Sequence, residues 1–128
     1  MRPSQTKFRL RYTAIEVTNI DRSINFYTKV LGMRVASRRK VAETKGELAI
    51  LESARSDHWI EINCYENHQY ESGDALDHIA FQVPSLEKAL AELKTKGIKP
   101  ISYTRESPRS KWTYIRDPDG IWIEIFEH

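Results

Sequence analysis

The 128-residue chain has one cysteine, Cys64, so it cannot close an internal disulfide, and a scaffold held together by cross-links is excluded. In a strand Cys64 would share a face with Ile60 and Ile62, which reads it as a buried thiol and not as a nucleophile. No apolar run approaches the roughly 20 residues needed to cross a bilayer, and the opening "MRPSQTKFRL" lacks the apolar centre of a secretory signal. A cytoplasmic protein without a membrane partner is expected. An excess of one charge sign is also missing, because 20 lysines and arginines are scattered among 18 acids. With a net charge of only +2, no nucleic acid is expected as a partner. Two local basic groups stand out: Arg38, Arg39 and Lys40, then Arg105, Arg109 and Lys111. Each reads first as a solvated rim, although a short basic loop before a strand can hold a carboxylate or phosphate.

What the chain does contain is a repeat. "RYTAIEV" alternates as a strand, and "NIDRSINFYTKVLG" follows with Ile20, Ile24, Tyr27 and Leu31 on one helical face. Asn19 is the expected N-cap and Gly32 the left-handed cap. Strands are expected over Met33 to Val41, Glu47 to Leu51 and His58 to Tyr65. The order recurs with "DHIAFQV" as a strand and "SLEKALAELKTKG" as a helix, in which Leu86, Leu90 and Leu93 lie behind a Ser85 cap and ahead of Gly97. Strands over Lys99 to Thr104, Lys111 to Ile115 and Ile121 to Phe126 complete it, with "DPDG" at 117–120 as a tight turn. Gapless alignment pairs Val17 with Val83, Ile20 with Leu86, Tyr12 with His78, and Glu61 with Glu124 in two copies of "WIEI". The expected fold is therefore α+β, one domain over 1–128 built from tandem βαβββ modules at about 9–66 and 76–128, linked through the polar segment Asn67 to Asp77.

Strand parity converts this repeat into candidate chemistry. Aliphatic residues take one face of each half: Ile60 and Ile62, Ile121, Ile123 and Ile125. The other face takes Tyr12, Glu16, Trp59, Glu61, His78, Gln82, Trp122, Glu124 and Phe126. A carboxylate beside tryptophan on a semi-enclosed face is costly unless a cation offsets it, and a bound metal would offset both glutamates. A lone histidine or strand glutamate is ordinary; three such groups on one face at repeat-related positions point to a metal site. His58 is out of parity with Glu61, while His68 falls in the linker and His128 at the chain end, so all three read as uninvolved.

The strings "YTAIEVTNIDRSINFYTKVLGMRV", "LDHIAFQV" and "YIRDPDGIWIEIFEH" resemble the vicinal oxygen chelate superfamily, and the first resembles its glyoxalase I branch. The resemblance runs from about Arg11 onward. It implies that the paired modules curl into a cupped half-barrel of mixed sheet around one divalent metal per site (Ni, Zn, Co, Mn or Fe), with Glu61, His78 and Glu124 as ligands. Tyr12 stands where glyoxalase I relatives and most other metal-binding members have a histidine. A phenol can ligate once a cation draws off its proton, or it can serve as a donor or wall, and both roles stay open. The implied reaction is proton transfer through an enediolate of a 2-oxoaldehyde thiohemiacetal, with Glu124 as leading base and Glu61 as the second carboxylate.

Glyoxalase relatives carry a basic residue at the place of Glu16 to receive a carboxylate of glutathione, and an acid there repels it. Arg9, Arg109 and Lys111 are candidate anion contacts, Trp59, Trp122 and Phe126 candidate walls for an apolar portion of the substrate, and Glu16 and Gln82 further candidate substrate contacts. Two other classes share this fold. A ring-cleaving dioxygenase would use two histidines and one glutamate, and a ligand-sequestering resistance protein would lack the metal ligands. Family analogy further implies a homodimer whose cavities combine modules of two chains.

Overall fold

The computed structural model describes residues 7, 9–42, 44–66 and 76–128. The interval 67–75, which holds most of the expected linker together with His68, lies outside the described residues. The first module runs β1 (Tyr12–Glu16), α1 (Ile20–Asn25) with a π-helical continuation Phe26–Val30, β2 (Arg34–Val41), β3 (Gly46–Glu52) and β4 (Trp59–Tyr65). The second runs β5 (Ile79–Gln82), α2 (Leu86–Thr95), β6 (Arg105–Ser107), β7 (Ser110–Arg116) and β8 (Trp122–Glu127). Each module folds as a four-stranded mixed sheet, in the order β1-β4-β3-β2 for the first and β5-β8-β7-β6 for the second. In both, the first strand lies parallel to the last because a helical crossover separates them. The tandem βαβββ fold is thus present.

The helix ends follow their signals. Asn19 Oδ1 accepts from the Arg22 N–H at 3.0 Å, and Gly32 takes φ +75°, which a residue with a Cβ adopts only at a cost. A wider turn continues α1, where the Leu31 N–H reaches the Phe26 carbonyl at 3.2 Å, and consecutive Phe26 and Tyr27 are both buried. On α2 the Ser85 hydroxyl accepts from the Lys88 N–H at 3.3 Å. Ser85→Ala should therefore lower unfolding free energy by about 1 kcal/mol in urea denaturation, because one first-turn N–H loses its acceptor.

One face of each sheet packs under its helix. Ile15, Val17, Ile60 and Ile62 are buried in the first module, and Ile115, Ile123 and Ile125 in the second, together with Leu86 and Leu93 of α2. Cys64 packs against this core but is only partly buried, since it lies near the end of β4.

The expected strand Lys99 to Thr104 is not one. Its backbone meets β7 through one backbone–backbone bond, from the Ile101 N–H to the Tyr114 carbonyl at 2.8 Å, and through the Ser102 carbonyl, which accepts from the Thr113 hydroxyl at 3.1 Å, while Pro100 supplies no N–H for a ladder. The short β6 forms instead at Arg105, where Arg105, Glu106 and Ser107 pair with Trp112, Lys111 and Ser110. The basic segment expected as a loop is consequently a hairpin, turning through Pro108 and Arg109.

A polar latch joins the modules. Tyr27 donates to Asp117 Oδ2 at 2.8 Å, while Asp117 Oδ1 accepts from the N–H groups of Asp119 and Ile121, both at 2.8 Å. Asp119, with 3% of its side chain exposed, accepts from the Thr18 hydroxyl at 2.6 Å and from Arg22 at 3.4 Å. The "DPDG" turn of the second module is thereby tied to the start of α1 in the first. No helix among the described residues is long and apolar enough to cross a membrane.

Candidate functional site

Register fixes which side chains meet across each sheet, because residues opposite one another in a ladder share a face. In the first module one row runs Ala14, Glu61, Ile50, Ser37 from β1 to β2. In the second the equivalent row runs Ala80, Glu124, Tyr114 from β5 to β7. Glu61 and Glu124 therefore occupy matching places on the faces turned away from the helices. One residue pair along, Tyr12 lies opposite Trp59. His78 precedes β5 at the matching position, so the repeat pairing of Tyr12 with His78 is geometric as well as sequential.

Each half-site has internal contacts. The Tyr12 ring stacks on Trp59 at 5.2 Å and 12° between planes, while Arg11 lies 5.0 Å over the same indole. Asn63 Nδ2 donates to Glu61 Oε2 at 3.4 Å. In the second module Tyr114 donates to Glu124 Oε1 at 3.3 Å and meets His78 edge-on at 5.8 Å and Trp122 at 5.3 Å. Burial, and then the adjacent Glu124 charge, push the Tyr114 phenol above its ordinary value, so it stays a protonated donor. His78 Nδ1 donates to Asp77 Oδ1 at 2.7 Å. That bond selects the tautomer whose Nε2 carries a lone pair, the arrangement common behind metal-bound histidines.

Sequence reasoning missed Tyr114. Parity along "KWTYIR" already sets it opposite Thr113 and Ile115, but only the β7–β8 register shows that it meets Glu124. Of the expected substrate contacts, Glu16, Trp59, Gln82, Trp122 and Phe126 all lie on the glutamate faces. Arg109 sits at the tip of the β6–β7 turn, and Lys111 shares the parity of Thr113 and Ile115, which points it to the opposite face. Arg9 is engaged with Asp57 at 2.8 Å, and His58 Nε2 meets the Thr13 hydroxyl at 3.0 Å.

The expected ligands do not gather within one chain. Among the described residues there is no group of three or more histidine, cysteine, aspartate or glutamate side chains placed to hold a metal ion. Tyr12 and Glu61 belong to one sheet, Glu124 to the other, and His78 immediately precedes β5 of that second sheet. A cavity of about 920 Å³ opens between the modules, lined by His58, His78, Gln82, Phe126 and helix residues such as Leu93, and neither glutamate lines it. The glutamate faces themselves stay open, with Tyr12 47% and Trp122 41% exposed.

Comparison with known proteins gives a consistent picture. The sequence profile of the Glyoxalase/Bleomycin resistance protein/Dioxygenase superfamily matches residues 9–125. A lactoylglutathione lyase of Escherichia coli is 33% identical over 93% of this chain and 92% of its own length. A probable lactoylglutathione lyase of Vibrio cholerae is 30% identical over 94% of this chain and 91% of its own length. Among solved structures, a trypanothione-dependent glyoxalase I of Leishmania major superimposes with a TM-score of 0.79 at 32% identity, covering 94% of this chain and 87% of that one. An antibiotic-binding protein of a Streptomyces species reaches the same TM-score, 0.79, at 12% identity over 97% of this chain and 98% of that one, a likeness of fold alone.

Proposed function

Because the chain belongs to the Glyoxalase/Bleomycin resistance protein/Dioxygenase superfamily, we propose that it is a metal-dependent lyase of glyoxalase I type, isomerising the thiohemiacetal of a 2-oxoaldehyde. The observation that carries this reading is the placing of Glu61 and Glu124 at equivalent register positions on two open faces. Two carboxylates at repeat-related places on either side of a bound substrate can remove a proton from one carbon and return it to its neighbour. Glu124 takes the role of base and Glu61 that of the opposing carboxylate. Trp59, Trp122 and Phe126 wall the apolar part of the substrate, and two modules at about 9–66 and 76–128 act as one functional domain.

The donor set fits a divalent cation of the borderline class. Two carboxylate oxygens and one imidazole nitrogen make an open set suited to Ni, Zn, Co, Mn or Fe, and the Asp77 bond leaves His78 Nε2 free to ligate. When bound, the ion supplies Lewis-acid polarisation of the carbonyl and lowers the cost of proton removal. Tyr12, stacked on Trp59, reads as a wall and donor of the site.

The split of Tyr12 and Glu61 from His78 and Glu124 supports a homodimer in which the first module of one copy meets the second module of the other. Mixing tests both the pairing and the reaction. Glu61→Gln and Glu124→Gln are each expected to be nearly inactive with methylglyoxal and a thiol in the presence of added metal. After unfolding and refolding the two together in equal amounts, half of the dimers carry one variant of each kind. Each of those has one intact site of two, so about a quarter of wild-type turnover should return. A mixture as inactive as its components would place both glutamates of a site in one chain.

A further inference from the structure

The two modules put different rings at one equivalent place. Tyr12 opens β1 and His78 immediately precedes β5, and each lies two residues short of the position that faces a glutamate across its ladder, Glu61 in the first module and Glu124 in the second. Their surroundings then diverge. The Tyr12 ring lies flat on Trp59, at 5.2 Å and 12° between planes, and Arg11 covers the same indole at 5.0 Å. Among the described residues His78 makes no such stack on Trp122, the indole equivalent to Trp59, which is taken instead by Tyr114 at 5.3 Å and Arg116 at 5.7 Å. His78 stands edge-on to Tyr114 at 5.8 Å and 88°, with Nδ1 bonded to Asp77. The imidazole is thus held by one edge atom and presents the opposite one. The phenol is held by its face.

Reach decides what the phenol can do there. A tyrosine carries its oxygen farther from the backbone than a histidine carries Nε2, by nearly the length of a metal–nitrogen bond, about 2.0–2.1 Å. In a site built from two equivalent modules, an ion set at imidazole reach would coincide with the hydroxyl of a tyrosine pointed straight at it. The ring has to swing aside, and Trp59 supplies the surface that receives it. Protonation works in the same direction, because a phenol binds a divalent ion well only after losing its proton, whereas a neutral imidazole is a ligand as it stands.

We propose that Tyr12 stays off the ion, so that Glu61, His78 and Glu124 alone hold it and the metal is an exchangeable activator whose occupancy follows its supply. This rests on the glyoxalase-type reading of the site and adds how that site is regulated. Two carboxylates and one imidazole leave positions around the ion to solvent and substrate, and the absence of a fourth protein donor weakens its retention. Tyr12 walls the opening and does not fill it. A single change to histidine would restore the donor that the second module already supplies, whichever copy provides each module.

The test reads metal binding without turnover. Zinc and cobalt(II) are titrated into wild type, Y12F, Y12H and H78A in competition with a chromophoric chelator, and the visible spectrum of each cobalt-loaded protein is recorded. Y12F should keep wild-type affinity and the wild-type cobalt spectrum, since it removes only the hydroxyl and preserves the stack. Y12H should bind both ions at least about tenfold more tightly, release zinc to excess chelator correspondingly more slowly, and change the cobalt spectrum as a nitrogen donor joins the ion. H78A should lose at least about tenfold in affinity, which ties the titration to this site. A loss of about tenfold in Y12F would make the phenol a ligand and overturn the proposal. So would wild-type affinity in Y12H, or zinc held by wild type against chelator for as long as by Y12H. Wild-type affinity in H78A, or no binding by wild type, would instead remove the metal-dependent reading of the site and take the proposal with it.

Discussion

Glu124→Gln is expected to lower kcat/KM for a methylglyoxal-thiol adduct by about a thousandfold, within the range typical of a lost general base. Glutamine preserves size and one carbonyl oxygen but cannot accept the substrate proton at neutral pH. The duplication alone makes Glu61 and Glu124 interchangeable, and Tyr114 breaks the tie. Its hydroxyl holds Glu124 Oε1 at 3.3 Å from the neighbouring strand, whereas the residue opposite Glu61 is Ile50, which has no donor, and Glu61 accepts instead from the Asn63 amide of its own strand at 3.4 Å. One oxygen of Glu124 is thereby oriented while the other remains available for proton transfer. Tyr114→Phe should then cost a few-fold in kcat with the fold intact, far less than the loss in Glu124→Gln. Steady-state kinetics beside circular dichroism checks both, and wild-type turnover in Glu124→Gln would take that residue out of the mechanism.

The second large effect concerns stability. Asp117→Ala should destabilise the chain by about 4 kcal/mol in urea, since it strips acceptors from the buried Tyr27 hydroxyl and from two backbone N–H groups, each worth about 1–3 kcal/mol when left unsatisfied. Asp117→Asn keeps an oxygen for the two N–H groups and should cost distinctly less. A pH dependence separates the variants further. Burial, offset in part by the Tyr27 and backbone hydrogen bonds, raises the Asp117 carboxyl above its ordinary value of 3.8. The native state then binds the proton more tightly than the unfolded chain, so this residue's contribution is most favourable below 3.8 and declines as pH rises through the raised native value. Subtracting the Asp117→Asn curve from that of wild type cancels the other acids. The difference should fall with increasing pH from about 3.8 upward and then level off. A flat difference would mean that burial does not perturb this carboxyl.

Much of the site is legible from local pattern. The two "WIEI" copies declare which side chains are aliphatic and which carry carboxylates, and parity puts Trp59, Glu61 and Asn63 together before any coordinate is known. Asn19, Ser85 and Gly32 announce their helix ends by chemistry confined to a single turn. Lys99 to Thr104 misleads for a related reason, since strand-like composition says nothing of whether a neighbouring strand is placed to complete the ladder. Lys111 looks like an anion contact on charge alone, yet its parity with Thr113 sends it to the helix side.

By itself the sequence determined the duplication, the order of elements and the face on which each strand side chain lies. These follow from the chirality of each residue and the two-residue period of a strand, which act locally. Only the tertiary structure decided that Tyr114 meets Glu124, that Tyr27 reaches Asp117 across 90 positions, and that the two halves of the site stay on separate sheets. Such partners are chosen by which surfaces bury against one another, a non-local outcome of packing that no short stretch of chain encodes.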